Sequence, residues 1–170
     1  MATPHRPQTN GVAERMIRRI IEGRRCCLLA SGLGHSWWRE AMQGYCILRN
    51  VRDVVRDGKT PYELRHGDKF RGVILPFGTG IEYKPSSDRE VSMLQKFGPK
   101  TRKGILVGYH LHNGGRWSGD YLVVDSHALK TSSSTETAYA HRVKEIVHDG
   151  IITFPARDGS LWELDSVEGI

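Results

Sequence analysis

Apolar positions recur with helical spacing over the first third of the chain and with strand spacing after it. From residue 11 to about 29, Ala13, Met16, Ile17, Ile20, Ile21, Cys27 and Leu28 fall on one face at ~100° per residue. This predicts an amphipathic helix, ended by Ser31-Gly32-Leu33-Gly34. Ser36 caps a second helix to roughly residue 52, with Trp37, Trp38, Ala41, Met42, Tyr45, Cys46 and Leu48 to bury. Adjacent tryptophans cannot face the same way, so one packs on the first helix while the other covers a different surface. Asp57-Gly58 reads as a turn. Thr60-Pro61-Tyr62-Glu63 is a capping box: Thr60 as N-cap, Pro61 at N1, Glu63 reaching back from N3, with the short helix stopping at Gly67. After about residue 68, strands are predicted at 81–84, 103–111, 120–125, 138–147 and 150–154, separated by Gly-rich turns. Short strands of this kind suggest a small antiparallel barrel. The fold class is α+β, helices first.

Composition narrows the picture modestly. With 170 residues, 38% apolar and 26% charged, the chain is globular rather than disordered and makes one ordinary domain or two small ones. The net charge of +6 is unevenly spread. Residues 1–60 carry 11 Lys/Arg against 5 Asp/Glu, residues 61–130 carry 11 against 7, and residues 131–170 carry 3 against 7. A polyanionic partner would therefore meet the N-terminal part, although a modestly basic soluble protein has the same balance. Cys26, Cys27 and Cys46 are too few and too badly spaced for a zinc cluster or a disulfide framework, and read as small buried hydrophobes. No apolar run approaches ~18 residues, so no membrane span and no membrane partner is expected. The N-terminus carries no apolar signal core.

The most specific motif is Thr3-Pro4-His5-Arg6-Pro7-Gln8-Thr9-Asn10-Gly11-Val12-Ala13-Glu14-Arg15. Its residues read as a Pro- and Gly-bounded loop followed by a helix opened by Asn10, with one carboxylate in the first turn. The segment resembles the last motif of the integrase catalytic core in copia-type LTR-retrotransposon polyproteins. The order of the pieces that follow, including Thr60-Pro61-Tyr62-Glu63-Leu64, resembles the stretch after the catalytic glutamate. Lys96-Phe97-Gly98-Pro99-Lys100-Thr101-Arg102-Lys103-Gly104-Ile105-Leu106-Val107-Gly108-Tyr109 is similar to the family's SH3-like barrel. Together these resemblances cover most of residues 3–150. They imply residues 1–67 as the C-terminal segment of an RNase H-like core, 68–155 as an SH3-like β-barrel, and 156–170 as an acidic tail of unassigned role.

The resemblance also implies a chemistry. Strand transfer moves a phosphodiester onto a 3′-hydroxyl, and two Mg²⁺ ions about 3.5–4 Å apart stabilise the attacking and leaving oxygens. Such sites are built of carboxylates, phosphate and water. Glu14 matches the third acid of the family's DDE site. The other two ligands are aspartates that precede this motif in the family, and only Met1 and Ala2 precede it here, so the chain reads as a fragment cut upstream of its final acid. Mg²⁺ is thus the ancestral cofactor, and the isolated chain is expected to be inactive and to bind no Mg²⁺ alone. Asp53, Asp57, Asp120 and Asp125 lie in turns or in the barrel region, where they do not substitute.

DNA is the expected partner, with the rest of the polyprotein or a second copy covering the helical face. For the parent protein the resemblance implies a nuclear or virus-like-particle location. Glu14, Arg18 and Arg25 share a stripe within ~40° on the first helix. Arg18 suits a DNA phosphate or an i,i+4 pair with Glu14. Asn10 suits the scissile-DNA loop or a plain N-cap. Arg15 on the helix, with Lys100, Arg102 and Lys103 at a turn, completes the nucleic-acid-binding set, the turn reading equally well as a solvated basic loop. His110 and His112 flank one residue, a weak metal hint. The rival reading is a stand-alone module whose barrel docks a protein or chromatin partner.

Overall fold

The computed structural model describes residues 11–85, 91, 100–131 and 138–162. Helix α1 spans Gly11–Ser31, a 3₁₀ turn spans His35–Trp37, α2 spans Trp38–Arg52 and α3 spans Pro61–His66. Strands β1 Gly80–Tyr83, β2 Arg102–Leu111 and β3 Trp117–Asp125 follow, then α4 Ser126–Thr131, β4 His141–Val143, β5 Ile146–Val147, α5 Pro155–Asp158 and a 3₁₀ turn Ser160–Trp162. The five strands make one antiparallel sheet in the order β4-β3-β2-β1-β5. Mixed helix and antiparallel sheet is the α+β class expected.

Local chemistry accounts for the elements. The Thr60 capping box is complete: its Oγ1 accepts from Glu63 N–H at 3.2 Å, and Glu63 Oε2 accepts from Thr60 N–H at 2.7 Å. Hydrogen bonds from Thr60 to the carboxylate, its backbone N–H first and its side chain second, hold the Glu63 carboxyl below the usual carboxylate range. Gly67 closes the same helix at φ +79°, the left-handed conformation that favours glycine. Asp57 and Gly58 form the turn at φ +50° and +69°, bridged by Arg56 and Lys59. Of the two tryptophans, Trp37 is buried and Trp38 is 48% exposed.

Helices and sheet share their cores. One cluster joins Leu28, Leu33, Trp37 and Ala41 to Ile105, Val107, Val124, Leu129 and Leu161. The other joins Ile47, Val51 and Tyr62 to Tyr83, Leu106, Tyr109, Tyr121, Val123 and Val143. Three tyrosine hydroxyls add hydrogen bonds: Tyr62 joins α3 to β3, while Tyr109 and Tyr121 hold the 73–75 segment to β2 and β3. Tyr109 Oη accepts from Leu75 N–H at 2.9 Å and donates to Val73 C=O at 3.0 Å; Tyr121 Oη accepts from Val73 N–H; Tyr62 Oη accepts from Trp117 N–H. Each cluster draws side chains from both sides of position 67. Residues 156–161 also pack inward: Leu161 is buried, Ala156 lies against the first cluster, and a Cβ on Gly32 would meet the Arg157 backbone at 2.5 Å.

Two predicted strands differ from the structure. The segment 138–147 is interrupted at Lys144 and Glu145 and pairs on opposite edges of the sheet. Residues 150–154 form no strand. Gly150 sits at φ +90°, and side-chain turns at His148 and Asp149 bend the chain, leaving only a Gly80 N–H to Thr153 C=O bond at 3.0 Å.

Candidate nucleic-acid interface

Helix α1 divides at Gly23. On the C-terminal side it packs on α2 so closely that a Cβ at Gly23 would lie 2.3 Å from the Tyr45 ring. On the N-terminal side none of residues 11–22 is buried, and Met16, Ile17 and Ile21 are exposed. The helical stripe read from the sequence thus continues past the end of its cover. Its polar flank carries Glu14, Arg15, Arg18, Arg19, Glu22 and Arg25, all exposed. Among the described residues none of these makes an ion pair, so the i,i+4 Glu14–Arg18 pair, one of the two readings of Arg18, is not formed and the cations stay open to solvent.

Arg102 is committed elsewhere. Its Nε donates to Asp125 Oδ2 at 3.0 Å, with the side chains 24% and 10% exposed. The same oxygen accepts from Tyr83 Oη at 2.7 Å, and Asp125 Oδ1 caps α4 through Ala128 N–H at 3.0 Å. Arg102 therefore serves the joint of β1, β2, β3 and α4, while its neighbours Lys100 and Lys103 are exposed. The sequence offered no sign of this, because Asp125 and Tyr83 are remote from Arg102 along the chain. Asn10, His5 and Arg6 lie outside the described residues.

No group of three or more His, Cys, Asp or Glu side chains suited to a metal ion occurs among the described residues. Asp53 is paired with Arg49 and Asp120 with Arg142, whose guanidinium holds the Asp120 carboxyl below its usual range. His110 and His112 meet edge to face with ring centres 6.1 Å apart, and His110 Nδ1 lies 2.9 Å from Ser118 Oγ. No described helix is long and apolar enough to cross a membrane. A concavity of about 570 Å³ lies where β1 and β2 meet α4 and the 147–161 segment, with Lys103, Lys130, Glu82 and Asp149 on its walls and Ile81, Val147 and Leu161 among its apolar lining.

No family model and no solved structure matches the chain. A 47-residue stretch, 28% of this chain, is 51% identical to the retrovirus-related Pol polyprotein from transposon TNT 1-94 of Nicotiana tabacum, of which it covers 4%. The chain thus spans a small part of that relative's length, and over that stretch it is similar to a retrotransposon Pol polyprotein.

Proposed function

We propose that the chain is an integrase-derived segment of a retrotransposon Pol polyprotein, the closing helices of an RNase H-like core followed by an SH3-like sheet module, and that it binds DNA through α1. The observation that carries this reading is the row of exposed Arg15, Arg18, Arg19 and Arg25 beside Glu14, without ion pairs among the described residues, on a helix uncovered before Gly23. Arginines so arranged contact phosphates and fix register without reading bases. Lys100 and Lys103 are secondary contacts, and Arg102 contributes through the fold.

Catalysis by these 170 residues alone is not expected. Two Mg²⁺ ions need several carboxylates, and Glu14 is the one acid of the family's site with a counterpart here. With the remaining core present, Glu14 would complete that site, and Met16, Ile17 and Ile21 would give its sheet an apolar seat. The antiparallel sheet with its long β2–β3 hairpin supports the SH3-like half.

The test is duplex binding followed by fluorescence anisotropy across salt. Non-specific affinity is expected on the order of 10⁻⁴–10⁻⁶ M at physiological salt, and Arg18→Ala with Arg25→Ala lowers the salt slope by nearly 2, at about 0.9 per phosphate contact. A double variant that binds like wild type at every salt concentration removes α1 from the interface. The second reading, a protein-docking module, is favoured by the partly apolar concavity at β1 and β2. It predicts binding to a polypeptide that salt barely weakens.

A further inference from the structure

Trp38 opens α2 and is 48% exposed, an unusual share for the residue with the most to gain from burial. Its neighbour Trp37 is 5% exposed, so the pair divides into one core residue and one presented at the surface. Across the helix pair, the Arg24 guanidinium sits over the Trp38 ring, its central carbon 5.9 Å from the ring centre. Arg24 Nε–H is screened from solvent and has no hydrogen-bond acceptor among the described residues. A donor in that position is normally satisfied, and leaving it unmade is costly. Arg25 and Arg39, the chain neighbours of Arg24 and Trp38, are both exposed. The result is a half-exposed aromatic side chain beside a guanidinium whose Nε–H is held inside, with flanking cations and no acid on either helix forming an ion pair to Arg24 among the described residues.

We propose that Trp38 and Arg24 form a stacking site for an unpaired base of single-stranded DNA, with Arg24, Arg25 and Arg39 on the adjoining phosphates. Every base offers a π-face, so such a platform tolerates any sequence, and a guanidinium beside it adds cation–π attraction and phosphate contact. A duplex hides those faces in its own stack and gains nothing from the ring. The site deepens the DNA-binding reading, which rests on α1 cations and duplex phosphates, by adding a preference for melted or single-stranded segments.

The experiment compares a thymidine homopolymer of about twelve nucleotides with a duplex of equal length, a size within the usual range for one such groove. Affinity is read by anisotropy and tryptophan fluorescence at one salt concentration. Trp38→Leu is expected to weaken single-strand binding about 5- to 150-fold, the effect of losing one base–aromatic stack, with duplex binding changed less than about twofold. Trp38→Phe keeps a ring and the packing. It should bind the single strand at intermediate affinity, with the fluorescence quench of wild type gone. Equal losses on both DNAs, no loss on either, or an undiminished quench in Trp38→Phe would overturn the proposal. Wild type that binds duplex but not the homopolymer overturns this site alone; wild type that binds neither overturns the DNA-binding reading with it.

Discussion

Removing Arg102 should destabilise the fold before it affects DNA. The Asp125 carboxylate that it meets is 10% exposed, and the arginine side chain 24%. Breaking a fully buried ion pair costs about 3–5 kcal/mol, while a solvent-exposed pair contributes about 0.2–1. This pair lies nearer the buried limit, but Asp125 keeps Tyr83 Oη at 2.7 Å and Ala128 N–H at 3.0 Å when Arg102 goes. Arg102→Ala should therefore cost ~2 kcal/mol. Asp125→Ala removes the acceptor shared by Arg102, Tyr83 and Ala128 and should cost more than Arg102→Ala, about 3–4 kcal/mol, within the range for breaking a buried ion pair. For a chain of this size about 1 kcal/mol shifts Tm by roughly 2–4 °C, so Arg102→Ala should melt about 4–8 °C lower. Circular dichroism melts of both single variants and the double variant give the coupling energy, expected at ~1–2 kcal/mol for groups in direct contact. The salt slope of duplex binding, measured well below the melt, should be that of wild type. An Arg102→Ala protein that melts with wild type yet loses DNA affinity and salt slope would refute this reasoning and return Arg102 to the interface.

Other outcomes follow from single observations. Thr60→Ala removes the acceptor for Glu63 N–H and should cost about 0.5–2 kcal/mol in a denaturant melt, with Thr60→Ser retaining most of it. Gly23→Ala gains up to about 1 kcal/mol of helix propensity, but its Cβ meets the Tyr45 ring at 2.3 Å, and overpacking at about 1–3 kcal/mol should leave a net loss. Burial pushes the Tyr109 hydroxyl up to about 12, above its ordinary value near 10. A raised folded value means this contribution is complete below pH ~10 and is lost as pH rises toward ~12, so alkaline melts should fall through that window and fall less in Tyr109→Phe. Burial, then the Cys26 and Cys46 thiols, push Cys27 up to about 11, so a thiol reagent near pH 8 should label exposed Cys26 well before Cys27, as read by peptide mass.

The helices were legible because their signals are local. The Thr60 box, the Gly67 stop and the Asp57-Gly58 turn each rest on side chains within three or four residues of one another. The stripe on α1 was equally readable, and so was its shortage of cover at Met16 and Ile17. Long-range pairing was not. Nothing near Arg102 announces Asp125 as its partner, and nothing near residue 155 shows that Leu161 will enter a core with Leu28 and Ile105. The sequence pattern also separates helices from strands and says nothing of the clusters in which Leu28, Trp37, Ile47 and Tyr62 meet side chains of the sheet. Trp38 was half legible: adjacency to Trp37 requires the two rings to part, but which of them stays outside depends on the packing of α1.

The measurement that bears most directly on the account is amide hydrogen exchange of the whole chain with and without saturating duplex DNA at low salt. DNA lying along α1 should slow exchange over residues 11–25 most, while residues 102–111, 117–125 and 141–147 change little. Protection confined to the sheet, with residues 11–25 exchanging as in the free protein, would contradict it.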